Sequence, residues 1–306
     1  MLLIVDTPRL ARQTSVSGLV AAAALLCAVV VAGPAEASTS KPHSGHHHRA
    51  QHRHGRPLRQ SRSISGLPAP RVATAPGFDT CAAPSASAMQ AWYRTSPYRA
   101  VGIYVGGRNR ACAAGNLTPA WVRAVAAQGW SLIPVYVGSQ APCATQKGMV
   151  RMQAGRAAQE GAADADDAAN QAAAYGLAKG SPVYFDLEAF KQTNQGCVDT
   201  VLGYLSGWTR ELHAAGFYSG VYGSAASGMA TLADAVETQS SFAAPDAIWI
   251  ARWDRQARTG DGSVPDPMWR DRQRIKQYQG GHVEKHGGVS LNIDSDYLDG
   301  PVARLR

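Results

Sequence analysis

Eight short strand-like segments recur between residues 76 and 306, and their spacing constrains the fold more than any other feature of the chain. They lie at residues 76–80, 100–106, 131–139, 182–188, 217–224, 247–253, 274–281 and 289–297. Most are rich in Val, Ile, Tyr, Phe or Trp and bounded by Gly, Pro, Asn, Asp or Ser, the composition of strands flanked by turns. Helical stretches separate the early ones, at residues 84–94, 118–128, 148–177 and 198–215. Strand–helix alternation with a count of eight predicts an α/β fold, a (β/α)8 TIM barrel. The last two intervals are too polar and too short for good helices, so irregularity is expected there.

The first 75 residues have a different character. An apolar run over residues 17–33 follows Arg9 and Arg12 and precedes Ala35-Glu36-Ala37-Ser38. That order, a charged start, an apolar middle and a small-residue cleavage site, predicts a secretory signal peptide over residues 1–37. Residues 38–75 are rich in Ser, Pro, Gly, Arg and His and hold almost no aliphatic side chains, which predicts a disordered linker. Lys41, Arg49, Arg53, Arg56, Arg59, Arg62 and Arg71 lie in it without an acid, whereas 21 basic and 20 acidic residues nearly cancel from Ala73 onward. The formal charge of +8 therefore belongs to the tail. This excludes a nucleic-acid-binding domain, whose charge sits on the fold, and suits attachment to an anionic cell-wall or membrane surface. The histidines at 43, 46, 47, 48, 52 and 54 have the composition of a metal-binding tract, although a solvated linker is the plainer reading.

Chemistry enters with Ser181-Pro182-Val183-Tyr184-Phe185-Asp186-Leu187-Glu188. Residues two apart on a strand share a face, so Asp186 and Glu188 project together at the end of strand four, where such barrels place their active sites. Asp79 ends strand one, and Asp294 and Asp296 lie on strand eight. In a closed barrel these acids converge on one mouth, and paired carboxylates there are the equipment for breaking a glycosidic bond. Tyr104, Tyr136 and Tyr222 are expected to line the same interior, with Trp253 as a platform for sugar rings. No His stands beside these acids, so neither a metal nor another cofactor is expected in the fold.

Gly77-Phe78-Asp79, Tyr184-Phe185-Asp186-Leu187-Glu188, Trp249-Ile250-Ala251-Arg252-Trp253, Gln277-Tyr278 and Asp294-Ser295-Asp296 together resemble the barrel of family 25 glycoside hydrolases, the secreted lysozymes. The chain is still more similar to their glycoside-hydrolase-like relatives. These share the Gly-Phe-Asp-Thr-Cys opening at 77–81, the long Ala-rich helix and Gly220-Val221-Tyr222-Gly223-Ser224. The resemblance covers residues 76–299. It implies that Glu188 is a general acid, that Asp186 steadies the substrate's N-acetyl group or the charge near the reacting carbon, and that Asp79 and Asp294 support them. Asp296, Tyr104, Tyr136, Tyr222, Trp253 and Gln277 are the expected substrate contacts. Asp296 departs from the lysozymes, which commonly have Asn there, and an added carboxylate raises the pKa of its neighbours. The implied function is a secreted hydrolase acting on peptidoglycan or a related N-acetylated glycan. The alternative is a catalytically silent glycan-binding or cell-wall structural protein on the same barrel.

Four cysteines remain beyond the signal peptide, an even number that predicts two disulfides in a secreted protein. Each follows a different one of the first four strands. Cys112 and Cys143 follow adjacent strands, which favours Cys112–Cys143 with Cys81–Cys197 over Cys81–Cys112 with Cys143–Cys197.

Overall fold

The helix starts are set locally. Ser85, Thr118 and Asn194 each accept, through a side-chain oxygen, from the backbone N–H of Ala88, Trp121 and Cys197 respectively, satisfying amides that the first helical turn leaves free. Pro119 takes the first position after its cap, where its missing N–H costs nothing. The computed structural model describes residues 66–306; the expected signal peptide and most of the expected linker lie outside the described residues. The helices are α1 (Ala86–Thr95), α2 (Pro119–Ala127), α3 (Ala157–Ala174), α4 (Gln195–Ala215) and α5 (Ala230–Thr238), the last entered through a short π-helical turn.

The strands are β1 (Arg71–Asp79), β2 (Ala100–Gly106), β3 (Ser131–Tyr136), β4 (Pro182–Leu187), β5 (Tyr218–Ser224), β6 (Ala247–Ala251), β7 (Arg274–His286) and β8 (Val289–Val302). They close into one barrel in sequence order. β1 through β7 run parallel to their neighbours, but β8 is antiparallel to both β7 and β1. A helix follows each of the first five strands and none follows β6 or β7. The expected irregularity of the last two units is therefore found, but the (β/α)8 expectation is corrected in one respect: the fold is a mixed α/β barrel closed by one reversed strand. Its cause is Gly287-Gly288, which have φ of 56° and 82°. Two residues with positive φ make a hairpin turn matched to strand twist, and a hairpin can only return antiparallel.

Two boundaries also move. β1 starts at Arg71 and pairs with β8 from Arg71↔Val302 onward, so residues 71–75 belong to the barrel and not to the linker. β3 ends at Tyr136, because the following residues turn toward the end of β2: Val137 donates its N–H to Gly106 O and Asn109 donates to Val137 O.

Two apolar layers result. Ala100, Ile133, Val135, Tyr184, Ala247, Trp249, Ile275, Leu298 and Val302 fill the barrel. A larger layer including Phe78, Trp92, Trp130, Tyr204 and Trp208 lies between barrel and helices.

The disulfides are Cys81–Cys112 and Cys143–Cys197, with Cα–Cα distances of 5.6 Å and 6.0 Å, which corrects the pairing favoured above. The loops after β1 and β2 are joined by the bridge Ala83↔Gly115, and those after β3 and β4 by Ala144↔Phe190. Each cysteine thus meets a partner within its own pair of neighbouring loops, and Cys112 is drawn toward β1 rather than β3.

Candidate active site

The acids meet at the mouth through the register of the sheet. Asp79 on β1 lies directly opposite Asp294 on β8, and Gln277 on β7 lies opposite Asp296. Asp294 and Asp296 therefore reach the mouth from within a descending strand and not from a strand end, as the parallel reading required. Like charges directly opposite on antiparallel strands repel, and Gln277 relieves this contact. Its Nε2 donates to Asp79 Oδ2 at 2.8 Å and to Asp294 Oδ2 at 3.3 Å. Its Oε1 accepts from Tyr222 OH at 3.0 Å and from Trp253 Nε1 at 2.9 Å. Two donors on the oxygen fix which way the amide points. Gln277 is 2% exposed with all four of its hydrogen-bonding positions occupied, so it holds the site together and is not itself a free substrate contact.

Asp79 also accepts from Tyr104 OH at 3.0 Å. Its Cβ sits over Gly102, where a methyl group would stand 2.6 Å from Asp79 Cβ and 3.3 Å from Trp249. Burial, and then the charge of Asp294, push the Asp79 pKa up to about 7 against the hydrogen bonds from Gln277 and Tyr104. Asp296, deeper and fully buried, accepts from Trp249 Nε1 at 2.9 Å through Oδ1, while its Oδ2 has no partner. Burial and the charge of Asp79 hold its pKa well above the usual carboxylate range.

Asp186 and Glu188 come off the end of β4 as expected, and one residue the sequence did not single out braces them. Gln140, fully buried, donates to the carbonyl of Asp186 at 2.7 Å and accepts from the N–H of Glu188 at 2.9 Å. The two acids differ in setting. Asp186 is buried and its Oδ1 is unpartnered; burial, then the charges of Glu188 and Asp79, raise its pKa well above normal. Glu188 is half-buried at the solvent side, and burial raises its pKa against a hydrogen bond from Gln146. Gln140 follows Ser139 in a loop and carried no sign of its own in the sequence, whereas the Trp in the middle of β6 was the available sign of Trp249.

Trp253 stands at the rim with 66% of its surface exposed. A methyl group on Gly280 would lie 2.6 Å from its Cζ2, so the bare glycine lets the ring lie flat on β7. The segment is fastened on both sides: Arg252 pairs with Asp261 at 2.6 Å, and the fully buried Lys276 pairs with Asp254 at 2.7 Å. Tyr136 is not in the site. Strand alternation turns Val135 into the barrel and Tyr136 outward, where its hydroxyl donates to Asp167 Oδ2 at 2.7 Å and its ring packs on Trp208. Among the described residues, no group of three or more His, Cys, Asp or Glu side chains is arranged to hold a metal ion.

A closed barrel with acids from β1, β4 and β8 gathered at its mouth defines a glycoside hydrolase-like domain. The chain belongs to the Rv2525c-like, glycoside hydrolase-like domain family, whose model matches residues 90–298. No curated protein matches it in sequence. Among solved structures it is similar to an uncharacterized protein of B. stearothermophilus, with 16% identity and a TM-score of 0.51 over 73% of this chain and 95% of that one. It is also similar to the Tat-secreted protein Rv2525c of Mycobacterium tuberculosis, solved in complex with L-tartrate, with 16% identity and a TM-score of 0.51 over 75% of this chain and 99% of that one. These likenesses show the fold.

Proposed function

We propose that the protein is a secreted glycoside hydrolase of N-acetylated cell-wall glycan, peptidoglycan or a close relative, with Glu188 as general acid. One observation carries the reading: Asp186 and Glu188 leave one strand end side by side, braced by Gln140, in surroundings that raise both pKa values. A general acid has to keep its proton near neutral pH until the bond breaks, and burial favours the neutral form of Glu188. Glu188, at the solvent side, delivers that proton to the leaving glycosidic oxygen. The unpartnered oxygen of Asp186 accepts the N–H of an acetamido group or faces the positive charge that develops at the reacting carbon. Asp79, Gln277 and Asp294 hold the wall behind them, and Trp253 offers an exposed ring face to a sugar. Two disulfides fit an oxidising compartment, and the basic segment that precedes β1 in the sequence fits retention on an anionic surface. Incubating purified peptidoglycan with the full chain should release reducing ends; their absence at intact fold would contradict the reading.

A second reading, binding without cleavage, has its own support. Among the described residues no Lys or Arg forms an ion pair with Asp79, Asp186, Glu188, Asp294 or Asp296. Five carboxyl groups so placed favour protonated forms, which hold a glycan by hydrogen bonds without requiring turnover. Retention on peptidoglycan with no reducing ends released would select it.

A further inference from the structure

Above the rim, β7 and β8 continue as a two-stranded ribbon whose two faces differ. His282, Glu284, His286, Leu291 and Ile293 are turned toward α1 and its loop, where Tyr98 OH donates to Glu284 Oε1 at 2.9 Å and the His286 ring meets the edge of Trp92. The opposite face carries Val283, Lys285, Ser290 and Asn292, all exposed, with Val283 70% exposed. Alternation makes this face the continuation of the barrel interior: Asp296, Asp294, Asn292 and Ser290 form one row along β8. The row rises from the carboxyl cluster onto the ribbon, and Asn292 stands opposite Val283. Gly281 leaves its floor bare, since a methyl group there would lie 3.8 Å from both Asn292 Oδ1 and Asp294 Oδ1. Beside it, Trp253 lies flat on Gly280.

Val283 gives this face an exposed apolar side chain. Here its neighbours are an aromatic plate, a bare glycine floor and an amide, the mixed apolar and hydrogen-bonding surface that a pyranose ring matches on one face and at its edge. From Asp294 to Ser290 the row runs about 13 Å, longer than a single ring. We propose that this ribbon face is a further saccharide subsite, so that a linear N-acetylated glycan lies along the row with one unit at the carboxylates and the next units on Gly281, Val283 and Asn292. Lys285, which has no ion-pair partner among the described residues, adds a positive charge at the far end for a carboxylate carried by the chain. The inference rests on the glycan reading of the mouth.

Titration calorimetry of the full chain with N-acetylglucosamine oligomers of two, four and six units tests it, in the wild type, Val283→Asp and Asn292→Ala. Both side chains are exposed, and melting curves confirm that each variant folds. The wild type should bind the six-unit oligomer about tenfold or more tighter than the two-unit one, which corresponds to about 1.4 kcal/mol. Both variants should lose that gain and keep the affinity for two units. Equal wild-type affinity for short and long oligomers would overturn the subsite and leave the glycan reading standing, as would a gain retained in both variants. Two-unit binding lost in the variants would move these residues into the first site and overturn the subsite also. No binding of any oligomer would overturn both.

Discussion

Trp253 Nε1 donates to Gln277 Oε1 at 2.9 Å, which ties the exposed ring at the rim to the side chain that also bridges Asp79 and Asp294. The exposed ring and the acids of the mouth are therefore one hydrogen-bonded unit. Gln277→Leu would leave the Tyr222 hydroxyl without its acceptor and two carboxyl oxygens without their donor. Each buried group left unpaired costs about 1–3 kcal/mol, so the melting temperature should fall by several degrees. Gln277→Glu should be worse at pH 8 than at pH 5, because a third carboxyl between two others needs a proton. Equal loss at both pH values would contradict the bridging role.

The pH dependence of stability follows from the same cluster. The unfolded chain releases the Asp79 proton at about 3.9, whereas the folded protein holds it to about 7. Between those values the folded state binds more protons, so the stability that Asp79 contributes is fully present below about pH 4 and is lost as pH rises through about 7. Asp186 and Asp296 are raised in the same direction and extend the loss upward. In Asp254, Asp261 and Glu284 burial works the same way, but their hydrogen bonds and ion pairs hold them below their ordinary values, so what they contribute is lost as pH falls and not as it rises. Denaturant unfolding should therefore show decreasing stability from pH 5 to pH 8. Asp296→Asn, which keeps an acceptor for Trp249, should show a shallower decline; an unchanged slope would contradict the account.

The elements legible in the sequence were those set by short-range chemistry. The eight strands and the shared inward face of Tyr184 and Asp186 follow from periodicity and turn residues. Tyr136 was misread because β3 is buried on both faces, so its residues do not alternate between apolar and polar and the pattern does not show which face turns inward. The reversal of β8 was written in Gly287-Gly288, a hairpin turn between two strand-like runs. Gln140 and the disulfide partners were not legible, because they depend on which loops lean together across the rim.

Trp253→Ala should separate binding from folding. Most of the ring faces solvent, so its removal should change the melting temperature only slightly beyond the lost bond to Gln277. Affinity for N-acetylglucosamine oligomers should drop about tenfold, since an aromatic face contributes about 0.5–1.5 kcal/mol beyond area. Unchanged affinity would remove the ring from the site.

Peptide mapping should recover Cys81–Cys112 and Cys143–Cys197. A native bridge contributes about 2–4 kcal/mol, and replacing Cys143 and Cys197 by Ser frees the segment that carries Gln146, the partner of Glu188. Hydrogen exchange should quicken over residues 141–150 while the strands stay protected. Uniform loss of protection would mean that the bridge holds the whole barrel and not the mouth.

The most direct test of the central claim compares the wild type with Glu188→Gln for release of reducing ends from purified peptidoglycan. The amide keeps the shape and cannot deliver a proton, and a general acid contributes about 10²–10⁴-fold. The account predicts loss of release by at least about a hundredfold at unchanged melting temperature and unchanged binding to the same glycan. Full release by the variant would contradict it.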